Sequence, residues 1–250
     1  LFFAQSNRLW GTYYTGGGAS DDLGYSTATD ASGNVYLAGT TNSSSGIASG
    51  GFQNTYGGGA WDAFLVAFDA AGNRLWATYY GDTIDDWGLC VAADASGNVY
   101  LSGRTNSVSG IASGGFQNTC AGNYAAYLVQ FDAATGARNW ATYYGGTAVS
   151  ADAGRGVACD NSGNVYLCGN TYSTSGIASG GFQNAFIGFE NAFLVKFNSA
   201  GTRLWGTYYG GGGYTVGHGV TTDVAGNVYM AVTTQSSGLA SGGFQNAKSF

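Results

Sequence analysis

Apolar residues in this chain fall in short runs of period two, and in the strongest runs both alternate sets are apolar. In RLWATYY at 74–80, Leu75, Ala77 and Tyr79 point to one side and Trp76, Thr78 and Tyr80 to the other. Such a strand must be covered on both faces. The preceding run, DAFLVAF at 62–68, is joined to it by Asp69 to Asn73, where Gly72 and Asn73 suit positive φ, so the two read as a hairpin. A loop rich in Gly and Asp at 81–88 then leads to a second hairpin, Leu89 to Ala93 and VYLSGRT at 99–105, closed by Asp94 to Asn98. None of these runs has helical spacing, the aromatic and β-branched content is high, and the chain has no proline to interrupt a ladder. Helix content near zero is expected.

This set of four strands occurs four times. DASGNVY at 30–36 returns at 94–100, as DNSGNVY at 160–166 and as DVAGNVY at 223–229, at spacings of 64, 66 and 63. ASGGFQN recurs at 48–54, 112–118, 178–184 and 240–246, and RLWGTYY or its variants at 8–14, 74–80, 138–144 and 203–209. The repeats divide the chain at approximately 1–61, 62–125, 126–191 and 192–250 within a single domain. Units of four antiparallel strands with two covered faces suit a β-propeller, in which each blade packs between neighbours. A four-bladed propeller of units of about 64 residues is the expected fold, with four blades of a larger propeller as the alternative.

The units resemble the bacterial SBBP-type β-propeller repeat. The resemblance rests on DAFLVAFDAAGNRLWATYYG, the following Asp-Asp-x-Gly, VAADASGNVYLSGRTNS and the closing GGFQN, and it covers essentially the whole chain. It departs where the family carries a Phe-Pro segment before the final Gly-Phe-Gln, since this chain reads SGIASGGFQN there.

Charged residues are only 9% of the chain, against about a quarter in an average soluble domain, so the surface consists of Ser, Thr, Asn, Gly and aromatic groups. Such a surface suits cover by neighbouring subunits or glycans. A net charge of −6 with eight scattered basic residues excludes nucleic acid as a partner. No apolar run approaches the roughly 18 residues of a membrane-spanning segment, and Leu1 to Ala4 is too short for a signal-peptide core. The lack of an initiator Met reads as a processed chain. Cys90, Cys120, Cys159 and Cys168 show no metal spacing. Counting from the third DNSGN turn puts Cys168 opposite Val157 and Cys159 opposite Tyr166, so a bridge between these two would need distortion.

Each candidate for chemistry has a structural counterpart. His218, the single histidine, occupies a position held by Tyr25, Leu89 and Arg155 in the other units, and no nucleophile-elbow pattern accompanies it. Asp30, Asp94, Asp160 and Asp223 read as turn residues that accept hydrogen bonds from the following backbone, with Gly33, Gly97, Gly163 and Gly226 left-handed. The pairs Asp21–Asp22 and Asp85–Asp86 are the places where calcium would bind, but the third unit keeps only Asp152 and the fourth neither, so no symmetric site exists. Trp10, Trp76, Trp140 and Trp205 recur in mid-strand, as packing between blades requires. Trp61 and Trp87 lie outside the pattern and are candidate contacts for a ligand or neighbour, as are Leu1, Phe2 and Phe3. Hydroxyl-rich loops supply candidate glycan acceptors at Asn42, Ser43, Ser44, Ser45, Thr105, Ser107, Ser173 and Thr174, with Asn42 in the only N-glycan sequon.

No catalytic residue, metal or cofactor is expected. The expected function is a non-enzymatic extracellular or cell-surface structural protein, a β-propeller subunit that forms a homo-oligomer or homopolymer as a filament, tubule or surface layer, with possible glycans. The alternative is a monomeric carbohydrate-binding or adhesive propeller.

Overall fold

The computed structural model describes residues 9–17, 20–147 and 152–245, and every regular element among them is a β-strand. The first sheet contains β1 (Asp22–Thr29), β2 (Val35–Thr41), β3 (Asp62–Phe68) and β4 (Arg74–Tyr80). The second contains β5 (Asp86–Ala93), β6 (Asn98–Thr105), β7 (Ala125–Asp132) and β8 (Arg138–Tyr144). The third contains β9 (Ala153–Cys159), β10 (Val165–Thr171), β11 (Asn191–Phe197) and β12 (Arg203–Tyr209). A last sheet holds only β13 (Thr215–Thr222) and β14 (Val228–Thr234). All pairings within the sheets are antiparallel between consecutive strands.

The two hairpins of the second unit form as the alternation predicts, and β3 and β4 match the expected runs to the residue. Their grouping into sheets differs from the grouping in sequence. Each complete sheet joins the second hairpin of one unit to the first hairpin of the next, as β2 pairs with β3 from Val35↔Phe68 to Thr41↔Asp62. The divisions at 61/62, 125/126 and 191/192 therefore fall inside sheets. The long connection that carries ASGGFQN spans from second to third strand and returns across the fourth. Ser49 and Ala77 exchange backbone hydrogen bonds of 2.9 and 2.8 Å there, and Ser113–Ala141 and Ser179–Gly206 repeat the contact.

The first strands β1, β5, β9 and β13 stand side by side, and β5, β9 and β13 each lie against the preceding sheet. Close approach at this inner seam sets a residue type. A Cβ at Gly103 would lie 1.7 Å from the Trp87 carbonyl oxygen, and one at Gly39 or Gly169 would be equally obstructed by Leu23 or Ala153. Beside each lies a β-bulge in the first strand, where register shifts across Gly24/Ser26, Gly88/Cys90 and Gly154/Gly156, and β13 has the same bulge across Gly217/Gly219.

Packing between sheets repeats just as closely. The indole of Trp76 donates to Ala133 O at 2.8 Å and its ring covers Gly136 in the β7–β8 turn. Trp140 does the same to Ser199 O and Gly201, and Trp10 to Ala70 O and Gly72. Tyr80, Tyr144 and Tyr14 each donate a hydroxyl to the Ile carbonyl of the following sheet's long loop, Ile111, Ile177 and Ile47. The segment 9–14 thus docks on the first sheet as a fourth strand would. The mid-strand tryptophans are packing groups, as read from their recurrence.

The four sheets form an open series. Among the described residues no strand pairing or backbone hydrogen bond joins β13–β14 to the first sheet or to residues 9–17, so a closed ring of four blades is not formed. The four cysteines are free thiols. The register places Cys168 opposite Gly156 and Cys159 opposite Val165, a correction of one residue that separates the two sulfurs by three rungs.

Candidate functional site

The carboxylates at the first-strand starts prove to be structural clasps. Asp22 accepts from the Thr41 and Ser43 hydroxyls and the Gly16 amide, and Asp152 from Thr171, Ser173 and the Gly146 amide. Asp86, buried like Asp152, accepts from Ser107 Oγ and the Asp82 amide at 2.9 Å each. The clasp ties the first strand to a Thr-x-Ser after the second. In the last sheet Thr215 stands in the Asp position and bonds Thr234 at 2.8 Å, while Ser236 receives the Gly213 amide. Asp21 and Asp85 do different work. Asp85 Oδ1 accepts the amides of Ala60 and Trp61, whereas at Asp21 the backbone pairs with Asn42. Among the described residues no group of three or more His, Cys, Asp or Glu is placed to hold a metal ion.

The same clasp revises the glycan candidates. Ser43, Thr105, Ser107 and Ser173 are buried within it, so their hydroxyls cannot take a sugar without breaking the strand start. Ser44, Ser45 and Thr174 lie exposed on the same loops, and Asn42 is half-buried with its carbonyl held by the Asp21 amide.

One seam carries an unusual pair. Asp62 at the start of β3 and Asp86 at the start of β5 both face Gly81, where a Cβ would sit 2.4 Å from Asp62 Oδ1 and 2.8 Å from Asp86 Oδ2. Both are buried, and Asp62 Oδ1 has no hydrogen-bond partner. Burial pushes the Asp62 pKa up to about 7, against the Gly57 amide that favours its charge and with Asp86, Asp82 and Asp85 adding to the rise. Burial likewise raises Asp86 to about 6, moderated by its hydrogen bonds. The third sheet has Asn191 where the first has Asp62, and its amide satisfies both Ile187 backbone groups.

Trp61 and Trp87 are half-buried rather than exposed platforms, and the Arg104 guanidinium lies 3.9 Å from the Trp87 ring centroid. His218 is exposed on β13 and hydrogen-bonded to Thr233 Oγ1 at 3.0 Å. It is the bulge residue of its strand, as Tyr25, Leu89 and Arg155 are of theirs. A bulge aims the side chain out of the ladder, which is why residues of such different chemistry occupy one register position. Leu1, Phe2 and Phe3 lie outside the described residues.

The two ends of the series carry the surface that sequence reasoning did not delimit. Tyr79, Tyr143 and Tyr208 are buried and donate to the carbonyls of Ser43, Ser107 and Ser173, whereas their counterpart Tyr13 is 96% exposed. Leu9 is exposed beside it. At the other end, Arg138 of the second sheet covers Phe52 at 4.3 Å, and Arg203 of the third covers Phe116 at 4.2 Å, leaving those rings about 40% exposed. Phe182 is 87% exposed, and Phe244 also stands in solvent. Among the described residues β14 has β13 as its one strand neighbour, and a groove along that half-sheet is lined by Val220, Tyr229 and Met230.

Four-stranded antiparallel sheets standing in series on their first strands, with each packed face repeated from one to the next, define a protein of β-propeller class. The β-propeller repeat family SBBP matches residues 139–177 and 204–240, each match running from a fourth strand through the next hairpin into the long loop. These two stretches match the SBBP-type β-propeller repeat that the resemblance of the units implied. No curated protein matches it. Among the described residues no helix is long and apolar enough to cross a membrane.

Proposed function

We propose that the chain is a non-enzymatic extracellular structural protein, a β-propeller subunit that self-assembles into a filament, tubule or surface layer. The observation that carries this reading is the contrast between the sheets and the ends of the series. Within the series Tyr79, Tyr143 and Tyr208 are buried and hydrogen-bonded and Phe52 and Phe116 are covered by arginines, while at the ends Tyr13, Phe182 and Phe244 stand in solvent on a protein with only 9% charged residues. Exposed apolar surface on a weakly charged protein favours association. The titratable groups act as clasps and turn residues, and Ser44, Ser45 and Thr174 are the loop hydroxyls open to glycans in an exported protein.

Light scattering with negative-stain imaging of the purified chain at neutral pH tests the reading. Regular assemblies that grow with concentration are expected. A species of 25.5 kDa at every concentration would overturn it and return the monomeric carbohydrate-binding propeller.

A further inference from the structure

We propose that the inner seam carries a binding site for an acidic sugar, one bearing a carboxylate or a sulfate ester, in which Arg104 and Arg155 hold the oxyanion and Phe189 with Tyr214 receives the apolar face of the ring. The site lies within one copy, among side chains of the second, third and last sheets and their loops, and so does not depend on self-assembly. The sheets share one frame, and two of its positions do not repeat. The bulge residue of the first strand is Tyr25, Leu89, Arg155 or His218, and the second strand carries Thr40, Arg104, Asn170 or Thr233 at one register position. Side chains from these two positions reach one another. Arg155 Nε donates to Asn170 Oδ1 at 2.6 Å, and His218 bonds Thr233.

Two positive charges are neighbours at this seam without a counter-ion. The backbones behind them approach closely, since a Cβ on Gly154 would lie 3.3 Å from Gly103 O. Arg104 lies half-buried against the Trp87 ring, and Arg155 is exposed. Among the described residues neither guanidinium forms an ion pair, the one ion pair being Lys196 with Asp160. The nearby carboxylates are committed elsewhere. Asp85 Oδ1 accepts the Ala60 and Trp61 amides, and the buried Glu190 accepts the Asn170 side-chain amide at 2.8 Å. Burial lowers the Arg104 pKa and the Arg155 charge adds to the drop, against Tyr124 and Asp85, which favour the charged form. An oxyanion between two guanidinium forks takes charge-assisted hydrogen bonds from both and cancels their repulsion.

The same network ends on an aromatic platform. Glu190 O accepts the Thr215 amide at 2.9 Å, and the residues just before these two, Phe189 and Tyr214, stack with ring centroids 5.6 Å apart and planes 17° apart. Both rings are exposed, and the other units hold Ala60 and Asn123 at the position of Phe189. Tyr172 ties the two parts together. Burial raises its pKa, Glu190 and Tyr214 add to the rise and Arg155 opposes it, so all three act on one hydroxyl. A parallel pair of exposed rings presents an apolar face to the C–H groups of a sugar, and a few converging polar groups beside it fix the orientation.

Saturation-transfer NMR tests this with glucuronate, glucose 6-sulfate and glucose, because it reads the ligand and works for a monomer or an assembly alike. Saturable binding of an acidic sugar, tighter than that of glucose by about tenfold or more, is expected. A preference for glucuronate or for glucose 6-sulfate names the oxyanion and supports the site. Arg155→Gln and Phe189→Ala should each weaken that binding by about tenfold while leaving the thermal transition where it is, because both side chains are exposed. Glucose binding as tightly as the acidic sugars overturns the role of the guanidinium groups. Inorganic sulfate that displaces the sugars at their own concentration shows an anion site without sugar contacts and overturns the ligand class. No binding of any probe, or binding that survives both variants, overturns the site.

Discussion

The second sheet and the half-sheet β13–β14 share a turn, a bulge and a register, yet differ in everything that lies further out. Tyr100 and Tyr229 occupy one position and both donate a hydroxyl to the turn carboxylate, Asp94 at 3.1 Å and Asp223 at 3.0 Å. Tyr100 is fully buried and also receives the Gln130 amide, whereas Tyr229 is 55% exposed. The turn makes the hairpin, and the third and fourth strands make the core. The inner seam has relaxed in the same way, since Val232 stands where Gly39, Gly103 and Gly169 are required.

The sharpest way to break the comparison is Gly103→Val. Its side chain has no room against the Trp87 carbonyl, so loss of the cooperative thermal transition is expected, a cost above about 4 kcal/mol. Val232→Gly should change stability by about 1 kcal/mol or less, chiefly through backbone entropy. Next in size, Trp140→Ala removes a buried ring between the second and third sheets and should cost about 3–5 kcal/mol by urea unfolding. Trp205→Ala, half-buried at the end of the third sheet, should cost clearly less in the monomer.

Asp62→Asn probes a difference between seams, because it introduces the residue that the third sheet already has. A carboxyl whose pKa is raised by folding to about 7 from about 3.9 in the unfolded chain contributes stability below pH 4 that is lost as pH rises to 7. The variant should therefore match the parent near pH 4 and exceed it by a few kcal/mol at pH 8. Equal stability at both pH values would refute the burial argument. The turn carboxylate Asp160 has the opposite sign. Burial opposes its charge, but hydrogen bonds from Asn164, Tyr166 and the Ser162 amide outweigh that and hold it at about 2, so its contribution disappears only as pH falls from 4 toward 2. The smallest effect is Tyr229→Phe, expected below about 0.5 kcal/mol, against about 2 kcal/mol for Tyr100→Phe, which strands a buried partner.

What was legible in the sequence follows from the range of each interaction. Strands β3 and β4 could be bounded to the residue because alternation and the Asp69–Asn73 turn are local; the left-handed glycines are borne out at Gly33, Gly97, Gly163 and Gly226, with φ near 80°. Asn73 keeps an ordinary φ, as among the described residues none other than glycine is left-handed. β5 begins at Asp86, three residues before the expected Leu89, because a buried carboxylate clasp continues the ladder into what reads as a polar loop. The pairing of β2 with β3 was hidden by the 20 residues between them, since sequence adjacency suggests only hairpins. The hydroxyl loops misled for a related reason. Thr-x-Ser looks like a sugar acceptor in isolation, and only its recurrence at Thr41, Thr105 and Thr171, all buried, signals a structural role.

Hydrogen exchange at two protein concentrations tests the central claim most directly, that the chain is an open series of sheets whose exposed end surfaces associate between copies. The account predicts that amides of β14 and of residues 9–14 gain protection together as concentration rises, while those of β6 and β8 are already protected and unchanged. Protection of both end segments that is independent of concentration, or exchange that stays fast in both at every concentration, would contradict it.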